Sequence, residues 1–303
     1  MVRFVIQKKG RVAARFLSTF FGGAGILPLM ETDPSFAYRY GFVGAGKMAR
    51  AMITGLLRSG VAPAKEIICT SAADGTGPAL AADTGIAFAE TPSEVIAQSG
   101  VLVLAMKPQQ LQEFPDEQGK MAEDRLVLSI LAGTPLAVLH RKFPEARNIV
   151  RIMPNTPGAI GAGISGWCSR DDLAGEDQSR LTDLLQSLGE SVAVEEAQMD
   201  VLTAVSGSGP AYIFEMAAAL IAAGVKEGLS PETSEKLVLH TVYGASRLLL
   251  ESDAKPEKLR DDVTSPGGTT AAALEQMASG GFREMMAKTI KAAKDRSREL
   301  SKP

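Results

Sequence analysis

Five short apolar runs punctuate the chain at intervals that suit strand–helix–strand units: YGFV (40–43), EIICT (66–70), VLVLAM (101–106), RLVLSI (125–130) and NIVRIM (148–153). Amphipathic, helix-like segments lie between them around 47–58, 78–84, 92–98 and 135–142. The runs show little alternation of polar with apolar residues, the pattern of strands covered on both faces of a parallel sheet. Parallel neighbours need right-handed crossovers, and a helix in each crossover makes a doubly wound α/β domain. A further pair, GISGWCS and SVAVE, flanks a helix near 176–188 and extends the same sheet.

After about residue 198 the pattern changes. Gly209–Glu227 reads GPAYIFEMAAALIAAGVKE, apolar nearly all round, so this helix is expected to be surrounded by protein. Ser230 and Pro231 open the next helix as N-cap and first-turn proline. A third helix begins after the PGG at 266–268, and a fourth carries Phe282, Met286, Ile290 and Ala293 on one stripe. The expected division is an extension over 1–38, a dinucleotide-binding domain over 39–197 and an all-helical domain over 198–303. Small Ala-rich helices without a polar face suggest burial between subunits, with a monomeric bundle as the alternative.

Composition removes several chemistries. The formal charge of −3 and pI near 5.6 give no basic field for nucleic acid. Two cysteines, Cys69 and Cys168, cannot form a disulfide framework. Two histidines, His140 and His240, leave little for a zinc centre or a Ser–His–Asp hydrolase, so no metal is expected. No stretch reaches the roughly 18–20 apolar residues of a bilayer span, so no membrane partner is expected. Arg3, Lys8, Lys9, Arg11 and Arg15 precede the first acid, Glu31. Such a lead reads as an organellar transit peptide, a weak signal peptide, a disordered extension or an upstream start; the default location is cytoplasmic.

The first motif that carries chemistry is FVGAGKMARAM (42–52). Gly44 and Gly46 follow a strand and precede a helix, with Ala49 in the third place of G-x-G-x-x-G/A. Gly44 permits the tight turn, Gly46 lets backbone approach a pyrophosphate, and Ala49 allows close helix–sheet packing. The free N–H groups of the helix start then hold phosphate. At the end of the second strand, Cys69-Thr70-Ser71-Ala72-Ala73 offers hydroxyls and no acid before Asp74. That favours NADP, with NAD left open because no Arg or Lys is near. Lys107-Pro108 closes the fourth strand, where a lysine reaches cofactor oxygens, and SILAGTP (129–135) closes the next with small residues suited to a nicotinamide.

Asn155 in RIMPNTP (151–157) is read as structural, and Glu196 by default as a surface acid. VSGSGPAY (205–212) is a Ser/Gly-rich helix start that packing alone explains. In SPGGTTAAALEQM (265–277), Ser265, Gly268, Thr269 and Thr270 open a helix whose positive end suits a substrate carboxylate. Plain capping by Thr269 or Thr270 is the simpler account.

Taken in order, FVGAGKMA, MKPQ, RIMPNTP, SGSGPAY and above all SPGGTT resemble pyrroline-5-carboxylate reductases over about Tyr40 to Leu300. The resemblance implies an N-terminal Rossmann-type domain binding NAD(P)H and a helical domain forming an intertwined homodimer, often assembled further. It implies hydride transfer to the C=N bond of 1-pyrroline-5-carboxylate, giving L-proline, the last step of proline biosynthesis. By the same resemblance Val43, Gly44, Ala45, Gly46, Lys47 and Met48 hold the pyrophosphate. Ser71 lies by the adenosine ribose or its phosphate, and Met106, Lys107 and Ala132 surround the nicotinamide half. Ser265, Gly268, Thr269 and Thr270 bind substrate, with Thr270 at the ring nitrogen, and Glu196 matches a second substrate-side position. The chain departs from the family at Ser71-Ala72-Ala73, where many members carry a basic or Ser-Pro pair. It departs again at Asp262, where some have Asn, and in its leading residues. A hydroxy-acid dehydrogenase would need a G-x-x-x-N-x-x-K helix, for which Lys226 is the nearest candidate; a non-catalytic NAD(P)-binding regulator would not need an intact SPGGTT.

Overall fold

A computed structural model describes residues 36–173 and 175–301. The leader expected over 1–38 lies outside the described residues except for its last three. Strand β1 (Tyr38–Val43) begins two residues ahead of the YGFV run, and the Arg125 guanidinium sits 4.9 Å from the centre of the Phe36 ring. Helix α1 (Lys47–Ser59) follows, burying Ala49, Met52, Ile53 and Leu56 at helical spacing and stopping at Gly60, whose φ is +73°. Next come β2 (Ile67–Thr70), α2 (Thr76–Thr84), the two-residue β3 (Ala87–Phe88) and α3 (Pro92–Gln98). Thr91 caps α3 by accepting from the Glu94 N–H at 3.3 Å.

Strand β4 (Ser99–Leu104) leads to the short α4 (Pro108–Glu113) and α5 (Asp116–Lys120), then to β5 (Leu126–Ser129), α6 (Leu136–Lys142) and β6 (Asn148–Met153). After a 3₁₀ turn at Thr156–Ile160 the chain forms β7 (Gly163–Ser169), α7 (Gly175–Gln186) and β8 (Gly189–Ala193). The sheet order is β3-β2-β1-β4-β5-β6-β7-β8. The first six strands are parallel in the 3-2-1-4-5-6 order of a dinucleotide-binding fold. β7 runs antiparallel to β6 because a short turn, not a crossover helix, joins them; β8 is parallel to β7.

Both faces of the sheet are covered. Tyr40, Phe42, Val101, Val103, Leu126, Leu128, Val150 and Ile152 enter one core beneath α1 and α7. Their neighbours Val43, Leu102, Leu104, Val127 and Ile149 enter the other with α3, α4 and α6. Alternation is present in direction but not in polarity, since successive side chains point to opposite, equally buried faces.

The remainder is helical: α8 (Met199–Leu202), a π-helical turn over Thr203–Gly207, α9 (Gly209–Lys226), α10 (Pro231–Glu251), α11 (Pro256–Asp262), α12 (Thr269–Ser279) and α13 (Phe282–Leu300). Asn155, buried, ties this part to the sheet. Its side-chain oxygen accepts from the Ile164 N–H at 3.0 Å and its NH₂ donates to the Ser206 carbonyl at 3.3 Å. α9 and α10 pair closely where Ser234 donates to the Ile221 carbonyl at 2.8 Å, but each buries a single residue, Ala217 and Ser234. Phe214 is 64% exposed and Leu250 88%. A self-contained bundle would not leave such side chains in water. The helical run from Glu196 to Lys226 is long and apolar enough to cross a bilayer by length and composition, which corrects the expectation that no stretch reaches that threshold. Its apolarity comes from alanines together with Ile213, Phe214, Leu220, Ile221 and Val225, and small residues such as alanine and glycine also let helix backbones approach one another.

Candidate active site

β1 hydrogen-bonds to β2 on one side and β4 on the other, so the crevice beyond Val43 is the point where strand order reverses. Gly44 turns the chain there with φ +114°, and its N–H donates to the Thr70 carbonyl at 2.9 Å. A Cβ on Gly44 would lie 2.5 Å from the carbonyl of Ala105 and 2.6 Å from the Met106 nitrogen. Both the dihedral and the contact require glycine. Gly46 behaves differently: it caps α1 in an extended conformation, and nothing lies within 4 Å of where its Cβ would stand. The space in front of the α1 start is therefore open, and the residues fit a pyrophosphate held by the helix N–H groups.

Around that opening, the Val43 side chain is buried in the core, so only its backbone reaches the crevice. Ala45 and Ala49 are buried and Met48 packs on the core, while Lys47 is exposed at the first helical position with no acid in the first turn. A cation at the positive end of a helix is locally unfavourable unless an anion shares the site. At the end of β2, the Ser71 hydroxyl donates to the Ala72 carbonyl at 2.8 Å and accepts from the Gly77 N–H at 3.0 Å. Asp74 accepts from the N–H (3.0 Å) and hydroxyl (2.7 Å) of Thr76, bonds that hold its carboxyl below the usual range. Asp74 is thus a loop staple, while the Thr70 hydroxyl at the end of β2 is buried with no hydrogen-bond partner among the described residues.

Beyond β4, Met106 is half-buried and Lys107 exposed, its ammonium without an ion-pair partner among the described residues. Its N–H donates to the Gln110 side-chain oxygen at 2.8 Å, which starts α4. The Ile130 N–H donates to the Leu104 carbonyl at 3.1 Å, bringing the Leu131–Thr134 turn and its exposed Ala132 alongside. The coenzyme-side residues named from the sequence thus occupy the adjacent carboxyl ends of β2, β1, β4 and β5.

The substrate-side residues stand on separate elements, Glu196 ahead of α8 and the others at the start of α12. Glu196 accepts from the Leu136 N–H at 2.6 Å, capping α6, and pairs with the buried Arg151 at 3.3 Å. Arg151 escaped sequence reasoning, although a lone charge inside NIVRIM was its signal. α12 packs mainly on α13. Its N-cap is Gly268 and no side chain caps it, which corrects the capping role considered for Thr269 and Thr270. Gly267 (φ +68°) and a Gly268 N–H bond to the Ser265 carbonyl at 3.0 Å form the turn that precedes it. Thr269 is exposed and Thr270 half-buried, with the first-turn N–H groups unpaired along the helix. Asp262, three residues ahead of Ser265, is paired with Lys258.

Burial pushes the thiols of Cys69 and Cys168 up to about 11, and burial also lowers His140. Among the described residues no cluster of His, Cys, Asp and Glu could hold a metal.

Residues 196–300 match the family described as pyrroline-5-carboxylate reductase dimerisation, and residues 39–133 match the family described as NADP oxidoreductase, coenzyme F420-dependent. The chain is 37% identical to a pyrroline-5-carboxylate reductase of Pseudomonas aeruginosa over 265 residues, 87% of this chain and 97% of that protein. It is 36% identical to one from Pisum sativum over 277 residues, 91% of this chain and 99% of that protein. Its structure is similar to a pyrroline-5-carboxylate reductase of Coxiella burnetii, with TM-score 0.81, 33% identity and coverage of 88% and 100% of the two chains. It is likewise similar to a Plasmodium falciparum pyrroline carboxylate reductase with NADP bound, with TM-score 0.79, 28% identity and coverage of 88% and 98%.

The open space at Gly46 yields a prediction. Gly46→Val places a branched side chain where phosphate would lie but meets no protein atom. NADPH affinity measured by fluorescence titration is expected to fall by at least about tenfold, roughly the loss of one charge-assisted hydrogen bond, with the melting temperature little changed.

Proposed function

The chain belongs to the pyrroline-5-carboxylate reductase family, and from that premise we propose how its residues carry out the NAD(P)H-dependent reduction of 1-pyrroline-5-carboxylate to L-proline. The observation that carries the reading is the meeting of four strand ends at an open helix start, in a chain that also holds SPGGTT ahead of α12. The coenzyme supplies the hydride. The backbone from Val43 to Met48 binds its pyrophosphate, Lys47 adds an exposed positive charge, and Ser71 faces the adenosine ribose. Met106, Lys107 and Ala132 border the nicotinamide half.

On the substrate side, the turn at Ser265 and Gly268 and the first N–H groups of α12 take the carboxylate, with Thr269 beside them. The Thr270 hydroxyl, not used for capping, bonds the ring nitrogen and holds the proton there. A cyclic imine is already electrophilic, and more so when protonated, so the protein's task is placement of the reacting carbon about 3–3.5 Å from the hydride donor. No histidine base is required. Glu196 supports the substrate side indirectly, by fixing the start of α6. A second copy covers the exposed apolar faces of α9 and α10 and brings α12 to the coenzyme crevice. We assign NADPH as the preferred coenzyme: no free carboxylate stands at the end of β2 to claim a ribose hydroxyl, since Asp74 is committed to Thr76.

Three measurements test this. Thr270→Ala is expected to lower kcat/KM by about 10²–10⁴-fold, the range for a positioned proton-transfer group, with NADPH affinity retained; near-normal turnover rejects the role. Wild-type steady-state rates with each reduced coenzyme should favour NADPH in kcat/KM, and equal values remove the preference. Sedimentation should show a dimer or a multiple of it, whereas Phe214→Asp combined with Leu237→Asp should give an inactive monomer.

A further inference from the structure

The last helix ends on the nicotinamide side of the crevice. Gly133, with φ +73°, lies in the Leu131–Thr134 turn that presents Ala132. A Cβ there would stand 3.3 Å from the backbone carbonyl of Leu300 and 3.4 Å from the Ser301 hydroxyl oxygen. The end of α13 is closed on itself by the Ser301 N–H and hydroxyl, which donate to the Ser297 carbonyl at 3.1 and 2.9 Å. Ser297, the one buried residue of α13, donates from its hydroxyl to an Asp200 carboxylate oxygen at 2.7 Å, across 97 positions of sequence. Arg298 approaches the other oxygen of the same carboxylate at 3.6 Å. Asp200 itself sits in the first turn of α8, where a negative charge is favoured by the helix dipole.

Asp200 therefore holds the final turn of α13 by two groups, and that turn abuts the loop that follows β5. The loop is also tied to β4 through the bond from Ile130 to Leu104, so a shift of α13 moves Ala132 relative to Met106. We propose that Asp200 is a positioning residue: through Ser297 and Arg298 it clamps the end of α13 against Gly133 and so sets the Ala132 turn for the nicotinamide half of the coenzyme. The proposal rests on the reading that this turn borders the nicotinamide. It makes the helical part of the chain, beyond its subunit contacts, a determinant of coenzyme geometry.

The test separates the two halves of the coenzyme. Affinities of wild type, Asp200→Ala, Ser297→Ala and Arg298→Gln are measured by calorimetry for NADPH and for adenosine 2′,5′-bisphosphate, which lacks the nicotinamide. Asp200→Ala is expected to weaken NADPH by about tenfold, as for one charge-assisted bond, and to leave the bisphosphate unchanged. Ser297→Ala and Arg298→Gln should shift the same way by less, and Asp200→Asn should restore part of the loss, because its amide oxygen still accepts from Ser297. Equal weakening of both ligands means general destabilisation and overturns the clamp, as does unchanged affinity for both. Should Asp200→Ala not fold, Ser297→Ala and the exposed Arg298→Gln decide alone by the same split. A wild type that neither binds NADPH nor reduces the imine would instead sink the functional reading.

Discussion

The contact between Gly44 and the backbone of Ala105 and Met106 is the constraint on which the rest of the site depends. β1 bonds to β2 in its own half of the doubly wound sheet and to β4 in the other, and it ends where those halves diverge. With no side chain at 44, the turn closes down until the end of β4 nearly touches it. That proximity aims the start of α1 and the Met106-Lys107 segment into one crevice. Any Cβ would have to force β1 and β4 apart at 2.5 Å, in a region where both cores are fully packed and neighbouring strands cannot yield. The positive φ adds a local cost of the order of 1–3 kcal/mol for any other residue. Neither could be relieved without moving the other coenzyme-side groups.

The helical part obeys an opposite economy. The sheet domain closes its two cores within one chain, whereas α9 and α10 leave Phe214, Leu237, Tyr243 and Leu250 in solvent. Burying a large apolar side chain contributes roughly 1.5–3 kcal/mol, so several such residues per chain amount to a strong drive toward a second surface. Match of this segment to a dimerisation family accounts for where that surface comes from. Stability and assembly are then linked here, because a second subunit that covers these faces adds to the stability of the folded chain.

Much of this was legible from residue order because it rests on local backbone requirements. The glycine turn after β1 and the Ser230–Pro231 helix start are signals of that kind. At Ser230 the hydroxyl accepts from the Thr233 N–H at 3.2 Å. Less legible were elements decided at a distance. The direction of β7 depends on a turn closed by Gly161 and anchored by Asn155, not on the composition of GISGWCS. β3, at two residues, is too short for any periodicity. The N-cap at Gly268 was misread because two threonines next to it are the usual capping residues. Pairs such as Arg151 with Glu196 and Ser297 with Asp200 join positions 45 and 97 apart, and no spacing rule marks them.

The chemistry explains why so few reactive side chains are needed. A hydride acceptor of the C=N type requires charge stabilisation at its nitrogen and alignment at its carbon, not a strong nucleophile or a separate base. The chain's thiols are correspondingly withdrawn: both are buried and resist ionisation, while burial shifts His140 downward. What remains at the crevice is backbone N–H, hydroxyl, methyl and the exposed ammonium groups of Lys47 and Lys107, groups whose effect depends on where they stand. Catalysis built that way is sensitive to displacements of a fraction of an ångström. Hence a contact as far from the ring as that at Gly44 bears on the reaction through where it holds those groups.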